Sequence, residues 1–139
     1  MNKSAMVARI DEDLGQVPEL RRACLAIVDY LSDDDARQHL DRVTFGMLRK
    51  IAGASQVADV VPAVQYLSGA RLHLLDPRFE FVDVERGLTE EVSLQTVAQA
   101  RADAIFYHPH TGEPVEDFER WLMMFFVLSD DARAIGGHR

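Results

Sequence analysis

The fold class depends on one stretch, RLHLLDPRFEFVD (residues 71–83). Upstream of it, apolar residues recur every three to four positions, whereas here they alternate with polar ones, which is typical of β-strands. Asp76, Pro77 and Arg78 supply turn residues in its middle. The stretch therefore predicts a β-hairpin, closed by Gly87, and places the chain in the α+β class with mainly helical content.

Three helices are predicted before this hairpin. Each combines apolar residues at helical spacing with a start or stop signal, such as Pro18 in a first turn, the run Asp33–Asp35, or Gly53 after a last turn. Residues 1–16 are polar and carry an acidic run, so they are predicted to form a flexible arm. The predicted helices span residues 18–31, 40–53 and 59–67.

This order of three helices and a hairpin, within residues 18–83, resembles a winged helix-turn-helix domain. Val43–Gly53 corresponds to the second helix, Asp59–Leu67 to the third and Arg71–Asp83 to the wing. The resemblance implies DNA binding, since the third helix of such domains enters the major groove.

Charge opposes that implication. No Lys or Arg lies between Gln56 and Ser68, and residues 56–85 carry two basic and five acidic side chains. Phosphate contacts need cations, so a wing and third helix of this kind favour protein partners over DNA. A basic second helix leaves DNA binding open as the alternative, with a candidate set of six residues: Arg37, Arg42, Arg49, Lys50, Gln56 and Gln65.

The second half, residues 87–132, is predicted to contain a helix over 88–103, a short hairpin near 104–115 and a last helix from Asp117 to Leu128. Its final run, Trp121–Leu128, is apolar throughout. A helix of this kind has no polar side, so it is either core or a protein interface; a buried strand is the competing interpretation. The candidate interface residues are Phe118, Trp121, Leu122, Met124, Phe125 and Leu128.

Residues that could carry chemistry give little support for an enzyme. His108 and His110, followed by acidic residues, are the candidates for a metal site, but no further ligand sits at a recurring metal spacing. Cys24 lies on the apolar side of the first helix and is expected to be buried. The sequence contains no phosphate-binding loop and no nucleophile elbow, so no catalytic residue and no cofactor are predicted.

Length and charge complete these expectations. The chain has 139 residues and a formal net charge of −8, which suits one domain with a flexible tail over 133–139 and disfavours anionic partners. The first residues lack the apolar segment of a signal peptide, so a cytoplasmic location is expected, with no membrane partner.

We therefore expect a noncatalytic regulatory or adaptor protein that acts through protein–protein interaction or dimerisation, as a homodimer or with another protein. A winged-helix DNA-binding transcriptional regulator is the alternative, and a small metal-dependent enzyme is the third hypothesis.

Overall fold

A computed structural model describes residues 1–135, which form an α+β structure, as predicted. Within these residues the chain contains seven α-helices and a three-stranded antiparallel sheet. It divides into two compact units. Unit 1 consists of Met1–Asp76 together with the chain from Phe126 onward, and unit 2 consists of Pro77–Phe125. The predicted halves, 17–86 and 87–132, do not coincide with these units because the chain returns to unit 1 at Phe126.

Unit 1 is built from helices around a mainly aliphatic core, with the ring of Phe126 buried in it. Backbone hydrogen bonds tie the returning C-terminal segment to the rest of this unit. Val43 exchanges two such bonds with Phe126, both at 2.8 Å, and the Ser129 N–H donates to the Leu74 carbonyl at 3.0 Å. Its helices are α1 (Lys3–Leu14), α2 (Pro18–Leu31), α3 (Asp34–Gln38), α4 (Phe45–Ala52), α5 (Val61–Leu67) and α7 (Asp130–Arg133).

The prediction of a flexible arm over residues 1–16 is wrong. Met6, Ile10 and Leu14 recur every four residues, so α1 presents them on one face, and all three are buried. The Asn2 side chain caps the helix by accepting from the Ala5 N–H. Three apolar positions among many polar ones give a weak periodic signal, which is why the sequence did not reveal this helix.

The acidic residues at the end of α1 are held by unit 1 itself. Asp13 accepts hydrogen bonds from the Arg71 guanidinium at 2.7 and 3.0 Å and from the Tyr66 hydroxyl at 2.6 Å. These bonds lower the pKa of Asp13 to about 2, and the bond from Arg71 contributes most, followed by the bond from Tyr66. The run that suggested a polar arm therefore anchors α1.

The first predicted helix is confirmed as α2, with Pro18 in its first turn and Cys24 fully buried. Burial raises the pKa of the Cys24 thiol to about 12, so the thiol stays protonated at neutral pH.

The predicted second helix is α4, which begins later than predicted, at Phe45, after Thr44 caps it by accepting from the Met47 N–H at 3.1 Å. The run Asp33–Asp35, whose capping residues were predicted to start that helix, starts the separate short helix α3, with Asp33 as its cap. Gly53 ends α4 in the left-handed conformation, as its place after the last turn predicted. The predicted third helix is a 3-10 turn over Val57–Val60 followed by α5, which ends at Leu67 as predicted.

The predicted hairpin over residues 71–83, with a turn at Asp76–Arg78, is wrong. Strand β1 runs without interruption over Leu75–Asp83. Its partner is β2 (Leu88–Val92), where a helix was predicted, and the register pairs Phe79 with Val92 and Asp83 with Leu88. Pro77 precedes Phe79, the first residue paired with β2, so its missing N–H costs that pairing no bond.

The helix predicted over residues 88–103 is shorter in the structure, because its first five residues form strand β2. Helix α6 covers Leu94–Asp103 and begins after Ser93, which caps it as predicted by accepting from the Thr96 N–H. The short hairpin near 104–115 is confirmed by a bridge between Tyr107 and Pro114.

The prediction of a helix from Asp117 to Leu128 is wrong. A 3-10 turn covers Phe118–Trp121, and the apolar run continues as strand β3 (Leu122–Leu128). The strand order is β2-β1-β3. A strand with apolar residues on both faces reads as a continuous apolar run, so periodicity did not distinguish it from a buried helix. Of the predicted tail over 133–139, Arg133 ends α7 and Ile135 is buried, and 136–139 lie outside the described residues.

Candidate functional site

Unit 2 contains a buried pair of ionisable side chains, Asp83 at the end of β1 and His108 after the short hairpin strand. Both are almost fully excluded from solvent, and His108 Nε2 lies 2.9 Å from Asp83 Oδ2. Asp83 also accepts from the Arg86 backbone N–H at 3.1 Å and from the Arg86 guanidinium at 3.0 Å. The carboxylate therefore holds the β1–β2 turn and meets the imidazole of a second loop.

The hydrogen bonds of His108 assign its proton. Its Nδ1 accepts from the backbone N–H groups of His110 and Thr111, at 3.0 and 3.2 Å, so Nε2 donates to Asp83. The bond from His108 is the main reason that the pKa of Asp83 is lowered to about 2, and the bonds from Arg86 lower it further. Both ring nitrogens are occupied, which leaves no lone pair for a metal or for abstracting a proton from a substrate.

His110, the other predicted metal candidate, does not form a set of metal ligands with His108 and Asp83. Its Nε2 is 3.1 Å from Glu90 Oε1, and its ring centroid is 6.2 Å from that of His108. Within residues 1–135, no three His, Cys, Asp or Glu side chains group closely enough to hold a metal ion. The geometry assigns the Asp83–His108 pair to loop positioning.

The predicted interface residues divide into three groups. Trp121 stacks on Phe81, with ring centroids 5.8 Å apart, and Phe118 stacks on Phe106 at 5.7 Å. Leu122 packs against the same aromatic cluster of unit 2. These three residues are thus half-buried in their own unit.

The other three predicted interface residues differ in exposure. Phe125 and Leu128 are buried within the chain, which agrees with the core alternative for this run. Met124 is 37% exposed, and its neighbour Met123, which was not predicted, is 52% exposed. Strand β3 therefore presents two adjacent methionines to solvent.

Hydrogen bonds fix the direction of the β3 backbone. Phe126 bonds Val43 through its N–H and C=O, while the N–H of Ser129 points to the opposite side and donates to Leu74, which precedes β1. Backbone groups two residues apart point to the same side of a strand. The N–H and C=O of Met124 therefore point away from β1, and those of Met123 point toward it.

This side of β3 is an open edge near Met124. The Leu122 N–H is used by the preceding turn, where it donates to the Glu119 carbonyl. Because the Met124 N–H and C=O point away from β1, they lie outside its ladder, and within residues 1–135 no backbone bond from outside the sheet reaches them. The strand contains no charged residue and no proline. Such residues usually keep an edge strand from pairing with another chain, so β3 lacks this protection.

The candidate DNA-binding residues are mostly engaged in unit 1. The Arg37 guanidinium donates to the Leu31 carbonyl at 2.8 Å and pairs with Asp34, and Arg49 donates to the Ala54 carbonyl at 3.1 Å. These bonds close helix ends. Gln56 caps the 3-10 turn, whereas the remaining candidates are exposed on α4, on α5 or in the loop before α4: Lys50, Gln65 and Arg42.

Sequence reasoning missed Asp83 and Met123. The alternation of Phe79, Phe81 and Asp83 along β1 places all three on one face, so a carboxylate at an inward position was the available signal. Met123 could not be found while its segment was assigned to a helix.

Comparison of the chain with known protein families, with curated proteins and with solved structures found no match. Among the described residues, none of the helices has the length and apolar character needed to cross a membrane.

Proposed function

We propose that this chain is a noncatalytic regulatory or adaptor protein that acts through protein–protein contact. The observation that carries the proposal is the open edge of β3, with its unpaired Met124 backbone and its exposed methionines. Addition of a strand to such an edge is a common mode of protein recognition, in which main-chain hydrogen bonds supply affinity. Methionine side chains suit this use because they adapt to different partners.

A second copy of the chain is the occupant that we propose. The net charge of −8 opposes self-association, and a contact through β3, which is uncharged along its whole length, adds no close pair of like charges to that repulsion. In an antiparallel arrangement centred on Met123, the Met124 N–H of each copy faces the Leu122 carbonyl of the other. The contact is then symmetric, as most homodimer contacts are.

Proline substitutions test this edge. Met124→Pro removes an N–H that points outward, so the sheet keeps its bonds and the edge loses its donor. Met123→Pro removes an N–H that points toward β1, so it breaks a bond of the sheet and destabilises the fold. We expect light scattering after size exclusion to show a dimer for the wild type and a folded monomer for Met124→Pro.

The matched control is Val84→Lys, which places a charge on an apolar residue that is 82% exposed and lies outside β3. This variant stays dimeric if β3 is the contact. A wild-type monomer across the micromolar range, or a Met124→Pro variant that remains dimeric, overturns the proposed contact.

The winged-helix resemblance is part of the same proposal. Unit 1 keeps the order of three helices, α2, α4 and α5, followed by a first strand, but unit 2 intervenes before the second strand returns at Phe126. Unit 2 thus takes the place of the wing tip in chain order. Arg37 and Arg49 are tied to carbonyl groups, which favours protein contact over DNA binding for this unit.

A further inference from the structure

Unit 2 has a second surface feature, a groove beside the end of α6. It has a volume of about 800 Å³. Four of its residues, Ala104, Ile105, Val115 and Phe118, supply apolar surface. An open groove of this composition can accept an apolar side chain from a partner.

Charge on the groove is negative. Arg101 lines it but is already paired, since its guanidinium donates to both carboxylate oxygens of Glu119 at 2.9 and 3.0 Å and also lies over the Phe79 ring. Glu116 has no partner within residues 1–135, whereas Asp117 pairs with Arg120 across 3.6 Å, and the two paired side chains are 62% and 80% exposed. Glu116 is therefore free for an incoming cation, and Asp117 can exchange its solvent-exposed partner for one.

Two further features add negative potential. The last turn of α6 reaches the groove through Arg101 and Ala104, and the C-terminal end of a helix carries partial negative charge. The sequence of unit 2 holds four arginines against ten acidic residues, a net charge of −6. Cations are therefore drawn to this unit over a longer range.

The backbone is strained at this groove. Within residues 1–135, Ala104 and Asp117 are the two residues other than glycine with a positive φ, at 59° and 56°, and both line it. Ala104 ends α6 and Asp117 precedes the 3-10 turn, and the left-handed conformation costs energy at both positions.

The geometry points to this groove as the docking site for a basic segment of a partner protein, one that inserts an apolar side chain between Ile105, Val115 and Phe118 while lysine or arginine meets Glu116 and Asp117. This surface goes beyond the proposed contact through β3, since it needs neither Met124 nor a second copy of the chain.

The test measures binding of a fluorescently labelled, lysine-rich peptide with two central leucines by anisotropy. The double variant Glu116→Gln/Asp117→Asn removes both carboxylates, and asparagine keeps the left-handed conformation. Its control, Glu85→Gln/Glu91→Gln, changes the net charge of unit 2 equally, away from the groove. We expect about fivefold to tenfold weaker binding for the first variant, from two partly exposed ion pairs, and less than about twofold for the control.

Three results overturn the inference. They are no binding to the wild type, equal weakening in both double variants, and equal affinity for a peptide in which serines replace the leucines. Met124→Pro separates this surface from the proposed function. The variant loses the dimer but keeps peptide binding if both proposals hold, and loss of peptide binding in it assigns the peptide to β3 and overturns the groove.

Discussion

Units 1 and 2 bury their charged groups in different ways. The core of unit 1 is mainly aliphatic, with one buried ring, Phe126. Its carboxylate Asp13 keeps partial contact with solvent, and its buried polar side chain, Ser129, is a hydroxyl that caps α7. Unit 2 stacks aromatic rings around a fully buried carboxylate, Asp83, held by His108. Unit 1 is therefore expected to respond mainly to the loss of apolar volume, and unit 2 to the loss of charge.

The largest effect is expected from the core of unit 1. Ile10 is fully buried on α1, so Ile10→Ala should lower the free energy of unfolding by about 2–5 kcal/mol through lost burial and the cavity it leaves. Chemical denaturation measures this change. Ser4→Ala, on the exposed side of the same helix, is the control and should stay within about 0.5 kcal/mol of the wild type. Equal stability of both variants would mean that α1 is not docked.

A pH-dependent effect comes next, in unit 2. The pKa of Asp83 is about 2, below its usual 3.8, so the folded state binds fewer protons than the unfolded state between these values. The stabilisation from Asp83 is complete above about pH 4 and is lost as the pH falls through about 2. We expect Asp83→Asn to be less stable than the wild type near neutral pH, with the difference shrinking toward pH 2 in denaturation curves.

The control for that experiment is Glu85→Gln, which alters an exposed carboxylate in the same turn. It should stay within about 0.5 kcal/mol of the wild type near neutral pH, because it alters an exposed side chain. A constant difference between Asp83→Asn and the wild type down to pH 2 would contradict the charge-based account of unit 2.

The smallest effect is a gain. Ala104→Gly relieves about 1–2 kcal/mol of left-handed strain, partly offset by about 0.4–1 kcal/mol of added entropy in the unfolded chain. The net result should be stabilisation by about 0.5–1 kcal/mol, seen as a raised melting temperature. Asp117→Gly serves as the comparison, and a smaller gain is expected because aspartate tolerates this conformation better. Loss of stability in Ala104→Gly would show that the alanine methyl group packs.

Sequence reasoning predicted elements whose signals are local. Pro18 and Gly53 act on the backbone within one turn, so the start of α2 and the end of α4 were found, whereas the start of α6 was predicted six residues too early. The α+β class was predicted from the alternation over residues 71–83, most of which is strand β1 although the hairpin expected there is wrong.

The rest depended on partners distant in the sequence. Asp76–Arg78 has turn composition, but the pairing of β1 with β2 keeps the chain extended around it. The run Trp121–Leu128 is a strand because β1 lies beside it. The candidate sites followed the same division. The exposure of Met124 and the partner of His108 depend on the tertiary structure, as does the groove beside α6.

The stacking of Trp121 on Phe81 has a practical consequence. Trp121 is the single tryptophan of the chain and lies in unit 2, whereas six of the seven helices of the described residues lie in unit 1. Indole fluorescence therefore follows one unit and helical circular dichroism mainly the other. The protein carries its own pair of spectroscopic reporters, and superimposable unfolding curves from the two would demonstrate that the units melt together.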